Sequence, residues 1–209
     1  MGHSCMDSTF WDLIIQGFVA IGIIAVAILA IWGNFFKFKI AGPKLSIVPS
    51  NMRGTVTSFT NGSRVIYYHL KVVNSRTWST AHNCQVILKS IAKRLPNGAF
   101  NNIPLPVCPS FVWAPAQITP PLIDLSTEQI FDFVYLVQGD TKVNPVLNYY
   151  PNNFDGFIRQ NECFRFSLEI NAEGFKSQKL FVYEVAWNGM WTDNLDNMSN
   201  NLTIREINE

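Results

Sequence analysis

Chemistry-bearing residues are scarce in this sequence. It holds three histidines and four cysteines in 209 residues, with no Cys-x-x-Cys and no close Cys/His array, which excludes the common structural zinc sites. His82-x-Cys84 comes nearest, and no second pair stands nearby to complete four ligands. There is no Gly-x-Ser-x-Gly, no phosphate-cradling P-loop and no Gly-x-Gly-x-x-Gly, so hydrolase, nucleotide-hydrolysing and dinucleotide-binding signatures are all missing. Asp193 and Asp196 in TDNLDNMSNN lack the calcium-loop spacing, its turn glycine and its closing glutamate. Asp124 and Asp132 lie in LIDLSTEQIFDF with no basic partner close in sequence, and Asp132 reads as the polar side of a strand. Charge is sparse too, at 15 % against roughly 25 % in ordinary soluble domains. A formal net charge of +1 makes no electrostatic case for nucleic acid. The expectation is a non-enzymatic chain with no catalytic residue, no metal and no cofactor.

The charge deficit has one main source. Residues 13–32 read LIIQGFVAIGIIAVAILAIW, with Gln16 the only strongly polar member. Twenty residues at about 1.5 Å each cover about 30 Å, the thickness of a bilayer's hydrocarbon core. The predicted anchor side chains are Leu13, Ile14, Ile15, Phe18, Val19, Ile21, Ile23, Ile24, Val26, Ile28, Leu29, Ile31 and Trp32. Trp11, Trp32, Phe35 and Phe36 sit where interfacial aromatics belong. A cleaved signal peptide fits less well, because no Lys or Arg precedes the apolar run and Ala25-Val26-Ala27 lies inside it. Asp7 and Asp12 flank one side, and Lys37, Lys39 and Lys44 the other. Positive charge stays cytoplasmic, so a single pass through the cell membrane is expected, N-terminus outside and the bulk of the chain cytoplasmic. The small residues of the span are nowhere four apart, so a Gly-x-x-x-Gly-type face is absent. Passive anchoring and weak self-association both stay open.

Beyond Gly42-Pro43 the period changes from helical to two. In RVIYYHLKVVN (64–74), NCQVILKSI (83–91) and CFRFSLEIN (163–171), apolar residues alternate with polar ones, the mark of strands with one wet face. His69 falls on the wet face. Weaker strand candidates are residues 45–48, 117–118, 130–137 and 179–187. Residues 103–121 carry six prolines, so this stretch must be an edge, a loop or a crossover between sheets. Ser126 and Gln129 match a capping box and predict one short helix over 126–130. The resulting division is a tail (1–9), a transmembrane helix (10–36), a linker (37–43), a β domain (44–192) and a polar C-terminal tail (193–209). About seven strands in that β domain point to an all-β, antiparallel β-sandwich. Cys84 and Cys163 both open strand-like runs, and a cross-sheet disulfide between them is conceivable if the domain lies outside.

Two strings carry a family likeness. Leu70, Val72 and Asn74 followed by Ala81, Asn83, Cys84, Val86 and Leu88 resemble the first strand pair of bacterial immunoglobulin-like adhesion-type (CARDB) sandwiches. Phe181, Tyr183, Val185, Trp187, Asn188, Gly189 and Trp191 resemble the closing segment of bacterial single-pass membrane proteins that join an N-terminal anchor to such a sandwich. The likeness covers about 25 residues closely, and it departs at Asn74-Ser75-Arg76, where adhesion-type domains usually have Gly soon after the Asn. It implies an immunoglobulin-like fold and an anchor, and no catalytic residues. Asn188-Gly189 reads as a two-residue hairpin turn, with Trp187 closing the core and Trp191 on the opposite, open face. Tyr149, Tyr150, Phe154 and Phe157 crowd one Pro/Asn-rich loop, where they either supply contacts or fold back over the core. The expected function is protein–protein interaction or scaffolding at the cytoplasmic face of the membrane, the partners being the bilayer and a protein or a second copy. Two alternatives stand beside it: a ligand-sensing membrane effector, and an extracytoplasmic adhesion or carbohydrate-binding module should the topology be reversed.

Overall fold

A computed structural model describes residues 5–177 and 179–207. The chain forms two compact units, one up to Gly42 and one from Pro43 onward. The first is a single helix, α1 (Cys5–Ala41). It starts earlier than the predicted span and runs through the predicted linker, because nothing between Gly33 and Gly42-Pro43 breaks a helix. The first four residues of the predicted tail lie outside the described residues. Within α1, the 24 residues Phe10–Gly33 form an apolar run that reaches a mean hydropathy of 2.7. At 1.5 Å per residue that is about 36 Å, long enough and apolar enough to cross a bilayer. The predicted anchor side chains are exposed, apart from Ile14, which is half-buried.

The second unit holds β1 (Leu45–Ser58), β2 (Arg64–Asn74), β3 (Ala81–Arg94), β4 (Phe100–Ile103), β5 (Val112–Trp113), β6 (Ile123–Leu125) and β7 (Glu128–Val137). It continues with β8 (Lys142–Pro145), β9 (Ile158–Arg159), β10 (Glu162–Ala172), β11 (Phe175–Lys176), β12 (Phe181–Trp187), α2 (Leu195–Asn201) and β13 (Leu202–Ile207). The strands form two antiparallel sheets. The first runs β1-β2-β7-β8-β9, with β5 also on β7. The second runs β13-β12-β10-β3-β4, with β11 on β10 and β6 on β3. All three strongly alternating segments are long strands, as their pattern predicts.

One apolar core lies between the sheets. Phe133 of β7 is at its centre, with ring centroids 5.6 Å from Phe111, 5.6 Å from Phe166 and 5.8 Å from Tyr183. It thus ties the first sheet to one ring of the crossover and two of the second sheet, in the tilted and edge-on arrangements that aromatic quadrupoles favour. The Tyr183 hydroxyl donates to the Ile47 carbonyl at 3.3 Å, a second tie across the layers. The proline-rich segment is a crossover. Leu88 N–H donates to Pro109 O and Phe111 N–H to Val86 O, laying residues 109–111 along the edge of β3. The next residue, Val112, pairs with Asp132 of the other sheet.

Asn74 ties one end of the unit together. Its carboxamide oxygen accepts from Lys44 N–H and Arg76 N–H. Its carboxamide nitrogen donates to Ser79 O at 2.7 Å, and its backbone N–H donates to Thr127 O at 2.6 Å. The start of β1, the β2–β3 loop and the β6–β7 turn therefore meet on one buried residue.

Four local expectations are corrected. Residues 126–130 form no helix: Ser126 Oγ lies 3.2 Å from Thr80 Oγ1, and 126–127 carry the chain from one sheet to the other. Gln117 and Ile118 sit in a turn rather than a strand, with Ile118 N–H donating to Pro115 O. Asn188-Gly189 is not a two-residue hairpin, because β12 pairs with β13 and Trp187 stands opposite Leu202. Asn188 instead opens a longer connection, accepting from Met190 N–H and bonding Asn201 through backbone and side chain. The predicted polar tail 193–209 contains α2 and β13. Asn194 caps α2 by accepting from Asp196 and Asn197 N–H, and Met198 is buried.

Phe133→Ala leaves a cavity between the sheets. It should cost about 3–5 kcal/mol, read as a lowered denaturant midpoint of the full chain in micelles. A loss below about 0.5 kcal/mol, the range of surface changes, would show that Phe133 is not central.

Candidate binding groove

The outer face of the first sheet carries the most organised constellation in the unit. Strand alternation puts Tyr67, His69 and Lys71 of β2 outward. On β7 the alternation is interrupted: Tyr68 pairs with Val134, but the next residue, His69, pairs with Asp132. Phe133 is the extra residue, and a bulge of this kind re-aims side chains on either side of it. Phe133 and Val134 both turn inward, while Asp132 and Tyr135 turn outward, opposite His69 and Tyr67.

The result is a row of rings, Phe59, Tyr135, Tyr67 and His69, with successive centroids 6.4, 5.5 and 6.2 Å apart. Tyr67 is nearly parallel to both Tyr135 and His69, at 25° and 8°. His69 Nδ1 lies 2.8 Å from Asp132 Oδ1, with only 18 % and 10 % of the two side chains exposed. The contact has an ion-pair distance without hydrogen-bond alignment. Burial, then the Asp132 carboxylate and the Tyr135 ring beside it, push the Tyr67 phenol above its usual range. Burial first and Asp140 second do the same to Tyr135.

Phe59, Tyr67, His69 and Asp132 line a groove of about 780 Å³, and Tyr135 stacks against Tyr67 beside it. One wall is an irregularity of β1, where Asn51 faces His69 and Thr55 faces Tyr67. The Asn51 side chain closes that turn by donating to Gly54 O and accepting from Arg53 N–H. Gly54 is required there: its φ is +77°, and a Cβ would stand 2.7 Å from the Ile66 side chain. The other wall is residues 114–117, held by Gln129 Nε2 donating to Ala114 O at 2.7 Å. Among the described residues the lining includes Glu128 and Asp132 but no Lys or Arg.

The outer face of the second sheet differs in kind. Arg165 pairs with Glu184 at 3.1 Å and lies over the Phe100 ring at 3.9 Å. Glu169, buried, stands between Lys89 at 3.8 Å and Lys176 at 3.4 Å. Its charges are paired with one another, and Arg165 covers the Phe100 ring.

The loop aromatics are partly brought together. Tyr150, Phe154 and Phe157 form a closed triad with centroids 5.2 to 5.4 Å apart. Tyr150 donates its hydroxyl to Pro145 O at 2.6 Å, and Phe154 packs against the core. Gly156 lies beneath, where a Cβ would collide with the Phe154 ring at 2.4 Å. Tyr149 stays outside this triad and is exposed. Trp187 is buried, and Trp191 is half-buried against the core, donating to Asp193 Oδ1 at 2.9 Å. Asp124 does find a basic partner across strands: His82 Nδ1 at 2.9 Å, which with Asn83 N–H holds its carboxyl below the usual range. His82 and Cys84 do not converge, since His82 is exposed and Cys84 is buried. No group of three metal-ligating side chains occurs among the described residues.

No family model, curated protein or solved structure matches the chain. The groove residues Tyr67 and Phe59, the Tyr135 ring beside them and the pairing of His69 with Asp132 escape a sequence reading, although Tyr67-x-His69 on a wet face is their visible trace.

Cys84 and Cys163 are too far apart for a disulfide. They sit at opposite ends of the β3–β10 pair, roughly 30 Å apart at strand rise. Burial raises the Cys84 thiol to about 12 and, with Glu184, the Cys163 thiol to about 11, whereas Cys108 is exposed. In a Cys5→Ser chain, one thiol should react quickly with maleimide near neutral pH, and Cys108→Ser should abolish that reaction. Rapid labelling of Cys84 or Cys163 in the folded chain would contradict the packing.

Glu162 gives a pH test. Burial raises its pKa, but the Lys93 ammonium and Arg159 N–H outweigh that and hold it below 4.5. A depressed folded value stabilises above the unfolded pKa and is lost as pH falls through the folded one. Glu162→Gln should therefore lower the urea midpoint at neutral pH and flatten the acid limb of the stability curve below about pH 5. Parallel curves for the two proteins would refute the pairing.

Proposed function

We propose that the chain is a membrane-tethered, non-enzymatic binding module, with α1 crossing the cell membrane once and an immunoglobulin-like β-sandwich presenting the groove to a protein partner. The observation that carries this reading is the row Phe59–Tyr135–Tyr67–His69, backed by the buried Asp132. Rings held by a rigid sheet lose little entropy on binding, which is why aromatic residues dominate contact surfaces. The lining's carboxylates favour a neutral or basic segment on the partner. The two antiparallel sheets on one core support the sandwich. Asp7 and Asp12 before the span and Lys37, Lys39 and Lys44 after it support a cytoplasmic β unit.

A photo-crosslinking amino acid at Phe59 should capture a protein partner in membranes, and the same group at Ser167, on the outer face of the second sheet, should not. Equal capture from both positions, or none from Phe59, would sink the groove as the contact face. In Cys5→Ser cells, Cys108 should resist an impermeant maleimide until the membrane is broken. Labelling in intact cells would place the β unit outside.

A further inference from the structure

We infer that the end of the β unit into which the chain emerges from α1 is a lipid-contacting surface, with Trp78 and Leu180 as its apolar contacts and Lys44, Arg76 and Lys179 as its basic ones. The inference rests on reading α1 as a membrane span.

Chain connectivity sets the distance. Residues 34–41 continue α1 past the apolar window, and only Gly42 and Pro43 precede Lys44. Eight helical residues rise about 12 Å and three extended ones reach about 10 Å. Lys44 therefore stays within about 22 Å of the hydrocarbon edge, of which headgroups occupy roughly 5–8 Å. The β2–β3 loop stays with it, since Ser75 donates to Lys44 O through both N–H and Oγ, at 2.9 and 3.2 Å.

Strand directions place the other groups at this same end. β3 leaves it at Ala81, β10 returns to it at Ala172, and β12 leaves it at Phe181. Glu173 N–H donates to His82 O there. Trp78, in the β2–β3 loop, is 69 % exposed, and Leu180, just before β12, is 45 % exposed.

The chemistry at this end suits a headgroup layer. An indole combines an apolar body with one donor, and Lys or Arg extends an apolar stem to a phosphate. The Arg76 guanidinium lies 5.7 Å over the Trp78 ring and the Lys179 ammonium 5.5 Å over the Phe181 ring. The loop is preorganised by Asn74 and by Ser79 N–H donating to Arg76 O. Asp124, Glu128 and Glu169 are each bonded to a basic partner, His82, Lys71 and Lys176. Among the described residues, Glu173 and Glu206, which stands opposite Tyr183, are exposed carboxylates at this end, and Lys44, Arg76 and Lys179 outnumber them.

The test uses the full chain in vesicles of phosphatidylcholine and phosphatidylglycerol. Subtracting the Trp78→Phe emission from the parent's isolates Trp78. That signal should be blue-shifted, quenched by lipids brominated near the headgroup, and shielded from aqueous iodide. A Trp78→Phe, Met190→Trp chain carries the reporter at the opposite end, after Trp187. Its emission should respond to iodide and ignore bromine. A Trp78 signal open to iodide and untouched by bromine overturns the surface. If Trp11 and Trp32 are still quenched in that case, the membrane span stands. If they also escape bromine, the span itself fails and this surface with it.

Discussion

The double inward step at Phe133 and Val134 is the constraint on which the first sheet depends. A strand alternates its faces strictly, and a one-residue slip moves every side chain to the wrong side. Here one extra residue re-phases β7 between the pairs Tyr68–Val134 and His69–Asp132. Phe131, Phe133 and Val134 all reach the core, and Asp132 is kept out of it. An unbulged strand would have to turn the carboxylate away from His69 into the apolar core or turn a phenyl ring outward, and an unpaired charge in that core costs far more than a bulge. The same step sets Asp132 opposite His69 and Tyr135 opposite Tyr67, so core packing and groove are two faces of one irregularity.

Polar interactions in the unit divide by burial. The exposed ion pairs, such as Arg53 with Asp196, contribute little, because water and salt screen them. Asn74 is different: it is 1 % exposed and its bonds reach three separate segments. Removing its side chain would leave several part-buried backbone groups without their partner at once, a larger loss than that of an exposed ion pair. One carboxamide does more to fix the geometry of that end than the surface charges around it.

The sequence is legible where structure is local and repetitive. β2, β3 and β10 announce themselves by alternation, α1 by its apolar run, and the crossover by its prolines. What stays hidden depends on distant partners. β5, β6 and β9 are two or three residues long and exist only because a longer strand lies beside them. Asn188-Gly189 has strong turn chemistry, yet β12 finds its neighbour in β13, so tertiary pairing overrides the hairpin. The capping box at Ser126 loses to a sheet-switching turn for the same reason. Most of the groove is invisible for a further reason: the His69–Asp132 contact requires a bulge position that no period of two encodes.

β3 is a 14-residue strand with one flank never presented whole. β4 covers Ile91 to Arg94, residues 109–111 cover the middle, and β6 covers Ala81 to Cys84. A long bare row of donors and acceptors invites pairing with a neighbouring molecule, the first step toward fibrous aggregates. Three short covers joined by proline-rich chain leave no template of useful length. Copies of the chain that meet one another therefore cannot join their sheets along this flank of β3.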